Sequence, residues 1–259
     1  MNKENSTYVN KGLEQFSSLL ERVPITSEQK FYLRGDASEF SLITIYISIT
    51  SIELLVISVL EILENASWMS GMYDDDYKII AEHNASITKE KILPKIRECK
   101  NEDKILNETF KEIAVSICSQ SAMRRELHCD VLPLSELLKE RVSGNGGFDF
   151  IVVLPDSVVV FGESKYRTAN NACTEASEQV IKFIKNGKHI SDLSLVKMFY
   201  SELVSKCLKG EKIAFAVGYT LSELEWESSV SQINDDFAKS GIMKGKTIYA
   251  LMIDNHEVF

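Results

Sequence analysis

The chain lacks a surplus of positive charge. Its 259 residues carry 29 Lys and Arg against 38 Asp and Glu, a net charge of −9. That argues against a free-standing, avid DNA binder, because phosphate neutralisation needs clustered cations. It does not exclude a nucleic-acid partner, since a local basic face, a basic partner or metal ions can screen an acidic surface. Cysteine is sparse and unpatterned. Cys99, Cys118, Cys129, Cys173 and Cys207 form no CxxC pair and no Cys–His cluster, which argues against zinc. Cys118 and Cys207 fall in apolar helical patterns and read as reduced, buried thiols, which suits a cytoplasmic setting. His83, His128, His189 and His256 lie near no nucleophile pattern. There is no internal repeat or low-complexity stretch. The polar opening MNKENSTYVNKG does not read as a signal peptide.

What is present is ordinary globular composition, 44% hydrophobic and 26% charged, with helical and strand-like stretches alternating. An α/β class follows. Residues 40–63, FSLITIYISITSIELLVISVLEIL, are long enough to span a bilayer, but Glu53 sits mid-span. Isoleucines at 43, 45, 47 and 49 alternate with Thr44, Tyr46 and Ser48, the period of a strand. The segment reads as a buried strand running into a buried helix. The charged stretch KIRECKNEDK divides the chain into an N-terminal region, 1–104, and a C-terminal part, 105–259. The first is expected to be mainly helical, with helices near 9–20, 52–65 and 87–99. Asp74, Asp75 and Asp76 lack the alternation, glycine and final Glu of an EF-hand and read as an exposed turn.

In the second part, residues 105–121 read as an amphipathic helix. A short strand is expected at 127–132 and a helical turn at 135–142, followed by a break at Ser143–Gly147 (SGNGG). Two β-branched runs, 148–154 and 157–161, flank Pro155-Asp156 and predict a hairpin. Helices are expected at 172–185 and 191–208, and strands at 212–219 and 247–253.

The hairpin carries the chemistry. Asp149 interrupts its first strand; Glu163 and Lys165 extend its second. A lone carboxylate in such a strand is costly unless paired or bound to metal. Glu163 and Lys165, two apart, share one face. If the loop is Pro155-Asp156-Ser157, residue 154 pairs with 158 and Asp149 lies opposite Glu163. Gly147 would then face Lys165 and leave space for substrate. Two carboxylates suit a hard cation, Mg or Mn, and a neighbouring lysine can position water and stabilise charge at phosphorus. A surface ion pair at a sheet edge is the simpler alternative.

The arrangement resembles the PD-(D/E)xK nuclease superfamily over residues 105–220. Asp149 matches its first acid and Glu163-Ser164-Lys165 its ExK tripeptide; no Pro precedes Asp149. The resemblance implies a restriction-endonuclease-like core, a mixed central sheet flanked by helices, and a metal held by Asp149, Glu163 and the Ser164 carbonyl. It further implies an upstream helical acid, for which Glu112 is chosen over Glu108, and a glutamine after ExK, for which Gln179 fits. Phe183 stands where some members have Tyr. A narrower resemblance in layout and size is to the nuclease subunit of Hachiman-type antiphage systems, which works with a helicase.

The expected function is Mg-dependent hydrolysis of DNA within antiphage defence, with a helicase or ATPase partner. Two alternatives stay open: a non-catalytic DNA-binding or regulatory subunit on a decayed nuclease fold, and an RNA-directed nuclease. Arg124, Arg125, Tyr166, Arg167 and the lysines 182, 185 and 188 are further candidates for phosphate contact. Trp68 and Trp226 read as packing residues.

Overall fold

A computed structural model of the chain describes residues 10–30, 40–99, 106–139, 146–167, 171–221, 226–242 and 244–254. Its centre is one seven-stranded mixed sheet in the order β1-β2-β7-β6-β5-β4-β3. The strands are β1 (Ile25–Lys30), β2 (Ser41–Ile49), β3 (Asp130–Val131), β4 (Phe150–Val153), β5 (Val159–Lys165), β6 (Ile213–Leu221) and β7 (Thr247–Asp254). β2, β7, β6 and β5 run parallel, while β1 and the β4 hairpin strand are antiparallel additions. Parallel strands need covered faces, and β6 is accordingly buried at all nine positions.

A short helix, α5 (Ser135–Leu138), leads into the β4–β5 hairpin, and the crossover from β5 to β6 is made by α6 (Ala172–Lys185), α7 (Lys188–Lys197) and α8 (Ser201–Leu208). α9 (Trp226–Ser240) joins β6 to β7. The opposite face is crossed by α4 (Glu108–Leu127), started by the Asn107 side chain accepting from the Phe110 N–H. The expected amphipathic helix is instead buried on nearly every side from Phe110 to Met123, with Glu112 the exposed exception. Small residues allow this. Bare Gly218 on β6 lets Ser119 approach, since a Cβ there would lie 2.5 Å from its Oγ. α1 (Lys11–Leu20), α2 (Ile52–Glu64) and α3 (Asp75–Glu98) pack around the outer side of α4.

Residues before 104 are mainly helical, yet their strands belong to the same sheet as those after it. β2 pairs with β7 from Ser41–Thr247 to Ser48–Asp254, so the division near 104, itself outside the described residues, does not separate two sheets. Residues 40–63 form the strand β2 and helix α2, and no helix among the described residues is long and apolar enough to cross a membrane.

Three other expectations change. The aspartates 74–76 are not a free turn but the start of α3. The Asp74 side chain accepts from the Asp76 N–H, and Asp75 and Asp76 sit in the first turn, where the helix dipole favours anions. The expected helix 191–208 is two helices, α7 and α8, with a break at residues 198–200. β1 was not anticipated: ITSEQK is a half-exposed edge strand with little apolar signal. Of the expected break at 143–147, residues 143–145 lie outside the described residues.

Candidate active site

The site begins with a turn. Leu154 N–H donates to Val158 O and Ser157 N–H to Leu154 O, with Ser157 at φ 67°. This three-residue loop, closing in the left-handed region, sets the register Val153–Val159 through Phe150–Gly162. The loop is the three-residue one expected, but the ladder stops at Phe150–Gly162, one step short of the expected pairing of Asp149 with Glu163.

At Asp149 the ladder changes. Bonded pairs alternate in an antiparallel ladder, so Leu154–Val158 implies 150–162 and then 148–164. Instead, Asp149 N–H donates to Gly162 O at 2.9 Å, and Phe148 N–H turns away to Asp192 Oδ2 at 2.9 Å. Ser164 N–H, left without its ladder acceptor, donates to the Asp149 carboxylate at 2.8 Å. The side-chain parity slips as well. Phe150 lies over Gly162, while Phe148 packs on Phe161, Phe183 and Phe215 on the other face. This is a β-bulge, and its effect is to aim Asp149 at the end of β5.

Glu163 is buried. Its Oε1 accepts from Lys165 Nζ at 2.8 Å, and its Oε2 is buried with no hydrogen-bond partner. Burial pushes the Asp149 carboxyl up to about 6, against the Ser164 N–H and the Lys165 charge, while Glu136 and Glu112 push it further up. Burial, then the charge of Asp149, holds Glu163 well above the carboxylate range; Lys165 and Lys139 pull it down. Burial works against the Lys165 ammonium, but Glu163, Asp149 and Glu112 outweigh it and raise its pKa.

A partly buried acid, Asp149, whose charge raises a fully buried one, Glu163, that carries an orphaned oxygen, forms with it a donor set that fits a hard cation. The Ser164 carbonyl faces the same edge as its N–H, where β4 has left the ladder. Among the described residues no three His, Cys, Asp or Glu side chains cluster as a metal site. The protein would thus supply two carboxylates and a carbonyl, a sparse set that suits Mg, which keeps much of its water.

The other candidates are placed unevenly. Glu112 is exposed on α4, and its charge is felt at both Asp149 and Lys165. Gln179 is half-buried on α6, one turn before Phe183, and makes no hydrogen bond to the acids. The space expected beside Gly147 is filled: a Cβ there would lie 2.2 Å from Lys139 Nζ and 2.5 Å from Asp192 Oδ2.

Several expected phosphate contacts are committed elsewhere. Tyr166 is buried and accepts from Lys111 Nζ at 3.0 Å. Arg167 pairs with Glu175 at 2.7 Å. Arg125 donates to the carbonyls of Glu21, Val23 and Ile25, and Arg124 pairs with Glu21. Lys182 and Lys185 stand in the last turn of α6, and Lys188 opens α7. Trp68 is fully buried, and Trp226 carries Lys30 over its ring. All five cysteines are free and buried.

Sequence reasoning missed Lys139 and Asp192. They pair at 3.2 Å, and Asp192 lies 44 residues from the Phe148 N–H it accepts, so no local pattern connects them. Comparison with known proteins finds no matching family, no matching curated protein and no matching solved structure.

Proposed function

We propose that this chain is a divalent-cation-dependent nuclease that hydrolyses DNA phosphodiester bonds at Asp149, Glu163 and Lys165. The observation that carries the reading is the partly buried Asp149 beside the fully buried Glu163, whose Oε2 is left without a protein partner. Asp149, Glu163 and the Ser164 carbonyl would hold Mg or Mn, which when bound polarises the phosphoryl oxygen and lowers the pKa of a bound water. Lys165, tethered to Glu163 Oε1, is placed to orient that water and to donate to charge developing at phosphorus. Glu112 adds negative charge beside Asp149 and favours cation capture. The restriction-endonuclease-like core belongs to the same proposal, supported by an acid-bearing hairpin beside a parallel strand.

A role in antiphage defence with a helicase or ATPase rests on the resemblance in layout. The net charge of −9 favours delivery of DNA by such a partner. A second reading, a DNA-binding or regulatory subunit that no longer cuts, is favoured by the lack of a three-residue metal cluster among the described residues.

The test is cleavage of supercoiled, linear and single-stranded DNA with Mg or Mn, alongside Glu163→Ala and Lys165→Ala. Both variants should stay folded and lose roughly 100-fold or more in rate. Normal cutting by either variant sinks the assignment. If the wild type does not cut, calorimetric Mn titration decides: binding lost in Glu163→Ala keeps a competent site, and no binding favours the second reading.

A further inference from the structure

Beyond the reacting acids, we propose that Asp192 is a positioning residue, which with Lys139 holds the β4 bulge that aims Asp149 at Ser164. The functional importance of Asp149 rests on the reading above; the positioning itself does not.

Asp192 sits on the buried side of α7 with Leu193, Leu195 and Val196 and is 6% exposed. A carboxylate so placed needs partners, and both come from distant chain: Phe148 N–H at 2.9 Å and Lys139 Nζ at 3.2 Å. A Phe148 N–H donated to Asp192 cannot also face β5. The peptide therefore leaves the ladder at the step where Ser164 N–H would have found the Phe148 carbonyl, and Asp149 Oδ2 takes that donor. Asp192 thus acts on Asp149 through one peptide unit.

Gly147 supplies an independent observation. It is not among the positive-φ glycines, so backbone freedom does not account for it. Space does, because any Cβ would overlap both Lys139 Nζ and Asp192. The chain is bare where the ion pair crosses it. Lys139 also places a second positive charge on the Glu163 side, where it counters the buried carboxylate.

The experiment is amide hydrogen exchange on the metal-free full chain, read at Ser164, with other β5 and β6 amides as internal controls. In Asp192→Ala, Ser164 should exchange at least about tenfold faster while the controls hold. Asp192→Asn keeps an oxygen for Phe148 N–H and should restore most of the protection. Gly147→Ala displaces the same pair and should repeat the loss, which covers the case in which Asp192→Ala does not fold. Unchanged Ser164 protection in a folded Asp192→Ala or Gly147→Ala overturns the proposal. So does failure of Asp192→Asn to rescue. Mn titration is the second readout, with an expected weakening of about 10–100-fold in Asp192→Ala. A wild type that binds no Mn would remove the nuclease reading, while Ser164 exchange would still judge the positioning.

Discussion

Replacing Asp149 by Asn should stabilise the metal-free protein at alkaline pH. Burial raises this carboxyl from 3.8 to about 6. At ~1.36 kcal/mol per pH unit, that corresponds to about 3 kcal/mol. The sign follows from proton counting. Between these two pH values the folded chain binds more protons than the unfolded one, so stability falls as pH rises from ~4 to ~6 and stays lower above. Asn cannot ionise, yet keeps an oxygen for the Ser164 N–H. The charge-assisted part of that bond is already contained in the shift, since the Ser164 N–H lowers the Asp149 carboxyl within it. Asp149 also retains some surface, which weakens the penalty through solvent screening. A net gain of about 1–2 kcal/mol remains, or roughly 2–4 °C for a chain of this size. The assay is thermal or urea unfolding in EDTA at pH 4 and pH 8. The two proteins should match at the lower pH and separate at the higher. Excess Mn should reverse their order, because binding stabilises only the wild type. An Asp149→Asn protein that is no more stable than wild type at pH 8 would refute the account of this site as a strained pair of acids.

Three further outcomes are expected. Gly162→Ala places a Cβ within 2.1–2.4 Å of the Phe150 ring, which is fully buried, and should cost about 1–3 kcal/mol by urea denaturation; an unchanged midpoint would show that the ring moves freely. Arg125→Ala strips the carbonyls of Glu21, Val23 and Ile25 of a shared donor and should cost roughly 2–4 kcal/mol. Lysine there should recover little, since one ammonium cannot fork across three acceptors. Glu112→Gln removes a charge that raises Asp149, so the Asp149 carboxyl carbon should titrate lower by a few tenths of a pH unit, on the order expected for a partly screened charge; an NMR titration that moves upward would place Glu112 elsewhere.

The hairpin was legible because its signals are local. The three-residue loop Pro155-Asp156-Ser157, chosen over a two-residue one, fixes the pairs from Val153–Val159 to Phe150–Gly162. The bulge at Asp149 was not legible, because it is set by Asp192 from another helix rather than by the strand's own pattern. The same division holds for the fold. α6 was foreseen at its observed bounds from helical periodicity, whereas β1 lacked apolar alternation and α4 owed the burial of its middle to neighbours far along the chain. Strand order leaves no mark in either strand's sequence, so the pairing of β2 with β7 could not be read from 41–49 or 247–254 alone.

That pairing has a consequence for synthesis. β2 is complete at Ile49, but its inner partner begins at Thr247, roughly 200 residues later. At ~5–20 residues per second, the apolar inner edge of β2 waits about 10–40 s on the ribosome with β1 as its only sheet neighbour. β6 waits too, though more briefly, for β7 to close its open side. The sheet that supports β5 is therefore finished only when the last strand arrives, and a chain released early would carry the acid-bearing hairpin without the platform that holds it. Such high contact order slows folding. For a chain proposed to cut DNA, it also ties a competent centre to the arrival of β7.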